Sequence, residues 1–177
     1  EREIQVRAIL TICQEELDRE VNAVGVVAMR EAAAGDEVRN EVRRWLGAYN
    51  AIEAQIRGLG KDGLLLYEQL YGKRAENLLL AASVSRDLGE ILDVNKRFGM
   101  TQAGVKAATL AAQIMWEEGR LSPAARALER ALEFRELLTP EVDARVSAWL
   151  GRCYRELGER ANLAQLRLWT RPLKDAE

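Results

Sequence analysis

The chain has 177 residues, the size of one ordinary domain, and 48% of them are hydrophobic while 31% are charged. This balance is typical of a globular protein rather than a disordered one. Histidine is absent, which excludes Ser-His-Asp and Cys-His catalysis and zinc sites with histidine ligands. Because 26 basic residues are interleaved with 28 acidic ones, nucleic acid is not an expected partner.

Residues 1–60 predict a long helical hairpin. Steps of three and four place one apolar stripe on a helix over about residues 1–34, made of Val6, Leu10, Cys13, Leu17, Val21 and Val24. A second helix, with Asp36 at its N-cap, has the stripe Val38, Val42, Trp45, Tyr49, Ile52 and Ile56. This second helix is expected to end at Gly58 and Gly60, and the pair to pack antiparallel.

Two segments in this half invite a ligand hypothesis, and the residue pattern speaks against both. The glycines at 58–63 flank Lys61, but the spacing of a phosphate loop, its Ser or Thr and its preceding strand are missing, so a turn is predicted. The acidic cluster Glu15, Glu16, Asp18 and Glu20 contains Arg19, which can pair with the first two, and no histidine completes a metal site. We expect a solvated helix face there, with no metal and no cofactor.

Residues 61–104 predict shorter helices, which are expected at about 63–71, 74–88 and 90–97 and are separated by Gly72 and Gly89. After them, Thr101 can cap a helix that runs to about residue 118. Ser122-Pro123 and Thr139-Pro140 each predict a helix start, with the hydroxyl at the N-cap and proline at the first helical position.

One template occurs twice in the last seventy residues. It consists of a small residue, a large apolar residue three positions later, a turn glycine that ends the helix, and an Ala-x3-Leu pair. The first copy is Ala112, Met115, Gly119 and Ala124/Leu128, and the second is Gly151, Tyr154, Gly158 and Ala164/Leu168. Small residues let two helices approach closely, and a hairpin that cannot bury both of its faces stacks on the next one.

This template, with Leu150 before Gly151, Ala131 and Pro140, resembles the tetratricopeptide repeat (TPR) family over residues 105–172. The offset of 39 residues between Gly119 and Gly158 exceeds the family's usual repeat of about 34, which implies one extra helical turn within 127–138. One additional residue is placed between Gly151 and Ala164, and Ala82 with Gly89 indicates a third, degenerate repeat in 61–104. The resemblance implies one all-α domain of antiparallel helical hairpins, stacked as a TPR-like α-solenoid. A non-repeat helical bundle is the alternative.

The resemblance also implies a groove that binds peptides and is lined by the first helix of each pair. Arg145, Trp149 and Arg152 are four and three residues apart and share a face, which suits an acidic segment or a C-terminal carboxylate. Lys106, Gln113 and Trp116 fall at comparable places on the preceding first helix. The candidate partner-binding residues are therefore Lys106, Gln113, Trp116, Arg145, Trp149, Arg152 and Arg155. A solvated face with Trp149 partly buried is the simpler alternative.

The leading hypothesis is a protein-interaction scaffold without enzymatic activity, because no catalytic constellation is found. The alternative is a self-association module that uses the seam 38–56 or the stripe 6–24. Cys13 and Cys153 lie in helical apolar patterns, which indicates reduced, buried thiols; a lowered pKa of Cys153 beside Arg152 is the less favoured interpretation. No apolar run is long enough to span a membrane and the first residues lack a signal-peptide core, so an intracellular, cytoplasmic protein or domain is expected.

Overall fold

A computed structural model describes the backbone of residues 2–31 and 50–169, and the side chains of residues 3–19 and 50–166. Every element in these ranges is helical, which confirms the all-α prediction. The helices are α1 (Arg2–Glu31), α2 (helical over residues 50–58), α3 (Gly60–Ser85), α4 (Leu88–Phe98), α5 (Gln102–Glu117), α6 (Leu121–Leu132), α7 (Pro140–Glu156) and α8 (Arg160–Trp169), with a short 3-10 helix at Arg135–Leu137. None of the described helices is both long and apolar enough to cross a membrane.

From α3 onward, the helices pack in series as three hairpins, which are α3/α4, α5/α6 and α7/α8. Each hairpin also contacts the next one, because α4 packs on α5 and α6 packs on α7. The first helices α3 and α5 touch as well. The described core is therefore a continuous layer between neighbouring hairpins.

All three hairpins close with a turn that contains one left-handed residue. A single residue adopts the left-handed conformation, and the next helix begins two residues later; these residues are Arg86 (φ 52°), Gly119 (φ 75°) and Gly158 (φ 73°). The residue that follows then accepts a hydrogen bond from the backbone N–H four positions on, at 3.0, 3.1 and 3.0 Å in Asp87–Ile91, Arg120–Ala124 and Glu159–Leu163.

The turns at Gly119 and Gly158 agree bond for bond. Arg120 N donates to Met115 O, and Glu159 N donates to Tyr154 O, both at 2.8 Å. The turn glycines themselves donate to the carbonyls three residues back, at 2.9 and 3.1 Å. This is a Schellman motif, in which glycine avoids the steric cost of the left-handed conformation. The prediction that both glycines end helices is confirmed.

The small residues of the template lie inside the hairpins, as predicted. Ala112 is fully buried in α5, and Gly151 is buried in α7. A Cβ atom at Gly151 would lie 3.6 Å from a methyl carbon of Leu163 and one of Leu166, so α8 packs directly on this glycine. The close approach of the two helices therefore depends on a small side chain at this position.

The predicted breaks at Gly72 and Gly89 are wrong. Helix α3 continues through Gly72, because Tyr67 and Ala75 on either side are fully buried and their packing outweighs the low helix propensity of one glycine. Gly89 lies in the first turn of α4, whose N-cap is Asp87, with Oδ1 accepting from Glu90 N at 3.0 Å. The turn between α3 and α4 therefore lies at Arg86 and not at Gly89.

Two details of the predicted repeats also need correction. Helix α6 begins at Leu121, so Ser122 is not its N-cap and Pro123 is its third residue, where the first-turn N–H has no intrahelical partner. No residue is inserted before α8: Leu163 takes the place of Ala124, and Ala164 is exposed. The extra length contains the 3-10 turn Arg135–Leu137, which lies within the range predicted for an extra helical turn.

The other two predicted caps are confirmed. Thr101 Oγ1 accepts from Gly104 N at 3.0 Å at the start of α5. Thr139 Oγ1 accepts from Val142 N at 3.4 Å, with Pro140 as the first residue of α7. Leu59 is the single turn residue between α2 and α3, so the predicted turn is shorter than residues 58–63.

The N-terminal helices pack on the second helices of the hairpins. In the described part of the first stripe, Leu10, Cys13 and Leu17 are buried and Val6 is half-buried, and α1 contacts α3 and α4. Its Gln14 accepts a 2.5 Å hydrogen bond from the Tyr67 hydroxyl. The residues at 50–58 lie beside α1 and α6. Gly35, Asp36 and the stripe residues Val38, Val42, Trp45 and Tyr49 lie outside the described residues, as do the side chains of Val21 and Val24.

Residues 50–58 attach to α6 mainly through charged side chains. Glu53 forms an ion pair with Arg130, and Arg57 pairs with Glu133 at 3.4 Å. The guanidinium carbons of Arg57 and Arg130 lie 4.1 and 4.9 Å from the ring centroid of the buried Phe134. The ring is thus held by two cation–π contacts in addition to its burial.

Candidate functional site

The predicted partner-binding residues lie on α5 and α7, the first helices of two successive hairpins. Trp116 and Trp149 contact each other edge to face, with ring centroids 6.3 Å apart and an interplanar angle of 66°. Arg145 and Arg152 flank Trp149 on the same face of α7. We define the tryptophan face as these four residues.

Helix α7 presents this face because its buried apolar residues form a separate stripe. Val146, Leu150 and Cys153 are buried at the spacing of one helical stripe, while both arginines of the tryptophan face are exposed. The indoles of Trp116 and Trp149 are half-buried, so each offers an edge to solvent while anchored in the fold.

The arginines of α7 have no counter-ion in the described part of the chain. Arg145, Arg152 and Arg155 make no hydrogen bond or ion pair with any residue at 3–19 or 50–166, although exposed arginines elsewhere do. A guanidinium that is not engaged keeps its planar fork available for a carboxylate.

The two other predicted residues on α5 stand apart from the arginines. The Gln113 amide donates to Glu117 at 3.0 Å, and Arg86 binds the same carboxylate at 2.7 Å. Together these two hydrogen bonds lower the pKa of Glu117. Lys106 is exposed and lies near Glu76, whose pKa is lowered by Lys73 and to a lesser extent by Lys106. The structure thus brings the tryptophans together and leaves Lys106 in a different charge environment.

The two cysteines are free and buried, as predicted. Burial, and to a lesser extent the nearby Glu129 carboxylate, raise the pKa of the Cys153 thiol to about 11. Burial also raises the pKa of Cys13. A reactive thiolate at Cys153 is therefore not supported, because a thiol of raised pKa stays protonated at neutral pH.

The acidic cluster of α1 behaves as an ordinary ion-paired helix face. Arg19 binds Glu16 at 2.7 Å, as its spacing predicts. Asp18 pairs with Arg74 of α3 at 3.0 Å, so part of the cluster docks α1 onto its neighbour. Among the described residues, no group of three or more acidic or cysteine side chains could hold a metal ion.

Sequence reasoning missed a cavity of about 450 Å³ between α6, α7 and α8. Its walls are formed by Glu129, Leu132, Glu133, Arg135, Leu150, Tyr154, Asn162, Gln165 and Leu166. The Tyr154 hydroxyl donates to Glu129 Oε1 at 2.6 Å across this space. These residues come from three helices and form no motif. The only available signal was the acidic residues of α6 at positions that would face the tyrosine of the second template copy.

Comparisons with models of protein families, with curated proteins and with solved structures found no match to this chain.

Proposed function

We propose that this chain is a TPR-like helical-repeat scaffold that binds an acidic peptide segment of a partner protein on the tryptophan face. The proposal depends above all on one observation: Trp149, which contacts Trp116, is flanked on α7 by two arginines that have no counter-ion among the described residues. It assigns no enzymatic activity to the chain.

The repeat arrangement is supported by the three equivalent turns. Left-handed residues at 86, 119 and 158 each join a first helix to a second one, and every hairpin contacts its neighbour in order. Serial contacts between units built alike are the property that lets repeat proteins present an extended surface along their first helices. In this chain α5 and α7 are two such helices, and their tryptophans meet.

The ligand chemistry follows from the charges on that surface. Arg145 and Arg152 can each donate two parallel hydrogen bonds to a carboxylate, an arrangement that is stronger and more directional than a lysine contact. A peptide chain passing between them would cover the exposed edges of the indoles. Tryptophan and arginine are also the residues that most often dominate binding free energy at interfaces.

Fluorescence anisotropy with the full chain can test this proposal. The probe is a fluorescein-labelled peptide of eight alternating Asp and Glu residues, compared with the same peptide carrying Asn and Gln. We expect binding of the acidic peptide only, weakened at least about tenfold by Arg152→Glu and by Trp149→Ala. Circular dichroism on each variant verifies that it is folded.

Arg126→Glu is the matched control, because Arg126 is an exposed arginine on α6 whose described contact is a hydrogen bond to Ser122. It changes the net charge as much as Arg152→Glu does, yet it lies outside the tryptophan face. Equal losses in the two variants would mean that binding depends on overall charge and would contradict the proposal. Equal binding of the acidic peptide and its Asn/Gln counterpart would also contradict the proposal.

The alternative of self-association remains a prediction. Val6 and Ile52 are half-buried, whereas Leu10, Cys13 and Leu17 of the first stripe and Ile56 of the second seam are already buried within the chain. This intramolecular burial favours the scaffold proposal, since these side chains are not available to a second copy. Light scattering over a range of concentrations distinguishes the two.

A further inference from the structure

The cavity between α6, α7 and α8 has the form of a small-molecule site. Its volume of about 450 Å³ falls within the range of ligand pockets, and none of its walls belongs to the tryptophan face. Leu132, Leu150 and Leu166 supply apolar surface, and Leu150 and Leu166 are almost fully buried. The amides of Asn162 and Gln165 lie on α8, where both residues are exposed. The pocket thus combines an apolar base with polar groups nearer to solvent.

Pairing of its charged groups leaves one negative charge. Arg135 is bound to Asp143 at 2.5 Å, and Glu133 is bound by Arg57 at 3.4 Å and also by Arg130. Glu129 accepts the Tyr154 hydrogen bond but has no cationic partner among the described residues. Its carboxylate therefore contributes an uncompensated charge to a partly enclosed, partly apolar space.

We propose that this pocket binds a cationic group, an ammonium or guanidinium on a short aliphatic chain, with Glu129 as its counter-ion. The aliphatic part would lie against the leucines, and the cation would donate to Glu129. Such a group is found both in a free diamine and at the end of a lysine or arginine side chain. This inference does not depend on the proposed function.

Tyr154 supports the placement of the charge. Its pKa is raised, first by burial and next by the hydrogen bond to Glu129, so the phenol stays protonated and keeps one carboxylate oxygen fixed. Since one hydrogen bond leaves most of the acceptor sites of a carboxylate open, Glu129 can accept a ligand donor without losing Tyr154. A carboxylate held in place by a neighbour costs less to order on binding.

Isothermal titration calorimetry of the full chain with two probes tests the proposal. Agmatine carries the free cation, and the capped tripeptide acetyl-Ala-Arg-Ala-amide carries the same group on a peptide. We expect at least one probe to bind with a stoichiometry of one. Binding of agmatine alone identifies a free amine or guanidine as the ligand class, and tighter binding of the tripeptide identifies a side chain; both results support the proposal.

Glu129→Gln keeps the shape of the side chain and an acceptor for Tyr154 but removes the charge. We expect it to weaken binding about tenfold, the difference between a charged and a neutral hydrogen-bond acceptor. Glu136→Gln is the control, because Glu136 is an exposed glutamate outside the cavity. Gln165→Trp changes an exposed wall residue and should abolish binding by filling the pocket, which provides a test even if Glu129→Gln fails to fold. The proposal is overturned if neither probe binds at millimolar concentration, or if Glu129→Gln and Glu136→Gln bind alike.

Discussion

The hairpins α5/α6 and α7/α8 have the same type of turn. They differ in how much of their first helix is buried by neighbouring helices. Helix α5 is packed on α3, α4 and α6, and most of its buried residues are alanine or glycine. Helix α7 contacts α6 and α8, buries one stripe, and leaves its arginines exposed. The turn therefore does not determine the burial of a hairpin, which depends on its neighbours.

Because of this difference, α5 should contribute mainly to the stability of the fold, whereas α7 should contribute more to ligand binding. The hairpin α5/α6 contributes Trp116 to the tryptophan face and Glu129 to the cavity, while the small residues of α5 are buried against neighbouring helices. Both candidate ligand sites involve α7, one on its exposed face and the other where α8 leaves space beside α6. Substitutions in the two hairpins should accordingly differ in their effect on the free energy of unfolding.

The largest difference is expected between two glycines. A Cβ atom at Gly104 of α5 would overlap the Phe98 carbonyl and lie 2.8 Å from Gly99 Cα, so backbone atoms would have to move. Gly104→Ala should lower the free energy of unfolding by about 3 kcal/mol in urea denaturation. Gly151→Ala meets only ordinary van der Waals distances and should raise it by about 0.5 kcal/mol. Similar losses for both would refute the contrast between the hairpins.

The Tyr154–Glu129 hydrogen bond should contribute most of the polar attachment of α7 to α6. Tyr154→Phe is expected to lower the free energy of unfolding by about 2 kcal/mol at pH 7, because the acceptor is charged. Met115→Leu at the equivalent place in α5 should change it by less than about 1 kcal/mol.

The same tyrosine predicts a pH dependence. Because the pKa of Tyr154 is raised in the folded protein, the folded state binds the phenol proton more tightly than the unfolded state, where the pKa is about 10. The resulting stability is complete below pH 10 and is lost as the pH rises above it. Urea denaturation between pH 9 and pH 11 should therefore show a steeper decline for the wild type than for Tyr154→Phe. Parallel curves would contradict this attribution.

The equivalence of the turns is tested by Gly119→Ala and Gly158→Ala. Each should lower the free energy of unfolding by about 1–2 kcal/mol, because alanine is strained in the left-handed conformation. Since the hydrogen bonds of the two turns match, the losses should agree within about 0.5 kcal/mol. Gly58→Ala, at a helical glycine with open space around its Cα, is the control and should not destabilise the chain.

The smallest effect is expected at Ser147 of α7. Its hydroxyl is buried without a hydrogen-bond partner in the described chain, so Ser147→Ala should leave the free energy of unfolding unchanged or raise it by up to about 1 kcal/mol. Thr101→Ala, by contrast, removes the cap of α5 and should cost about 1 kcal/mol. Thermal denaturation of the two variants measures both; a substantial loss in Ser147→Ala would show that the hydroxyl has a partner.

Features with a local cause could be predicted from the sequence. Gly119, Gly158, Thr101 and Thr139 act within one turn of the chain, and each is found at the predicted helix end. The break predicted at Gly72 was wrong because packing of α3 compensates for the low helix propensity of one glycine, and the break predicted at Gly89 was wrong because Asp87 already caps α4. The turn at Arg86 had no glycine to mark it, and an arginine adopts that conformation here through its position between α3 and α4.

The candidate site divides in the same way. Helical spacing correctly placed Arg145, Trp149 and Arg152 on one exposed face, since this depends on α7 alone. The contact of Trp149 with Trp116 and the cavity around Glu129 depend on how separate helices meet, which spacing within one helix does not determine. Ala164 was wrongly aligned with Ala124 because the alignment followed the Ala-x3-Leu motif. The register set by the turn aligns Leu163 with Ala124 instead.

Within the described fold, helix α8 packs mainly on α7, where Leu163 and Leu166 lie over Gly151. Because it has few contacts, α8 should have the lowest free energy of local opening among the hairpin helices, whereas α5 is held by contacts with several neighbours. The backbone amide protons of α8 should exchange with deuterium faster than those of α5. Since α8 also forms one wall of the cavity beside Glu129, the same local opening would admit a ligand without unfolding the rest of the chain.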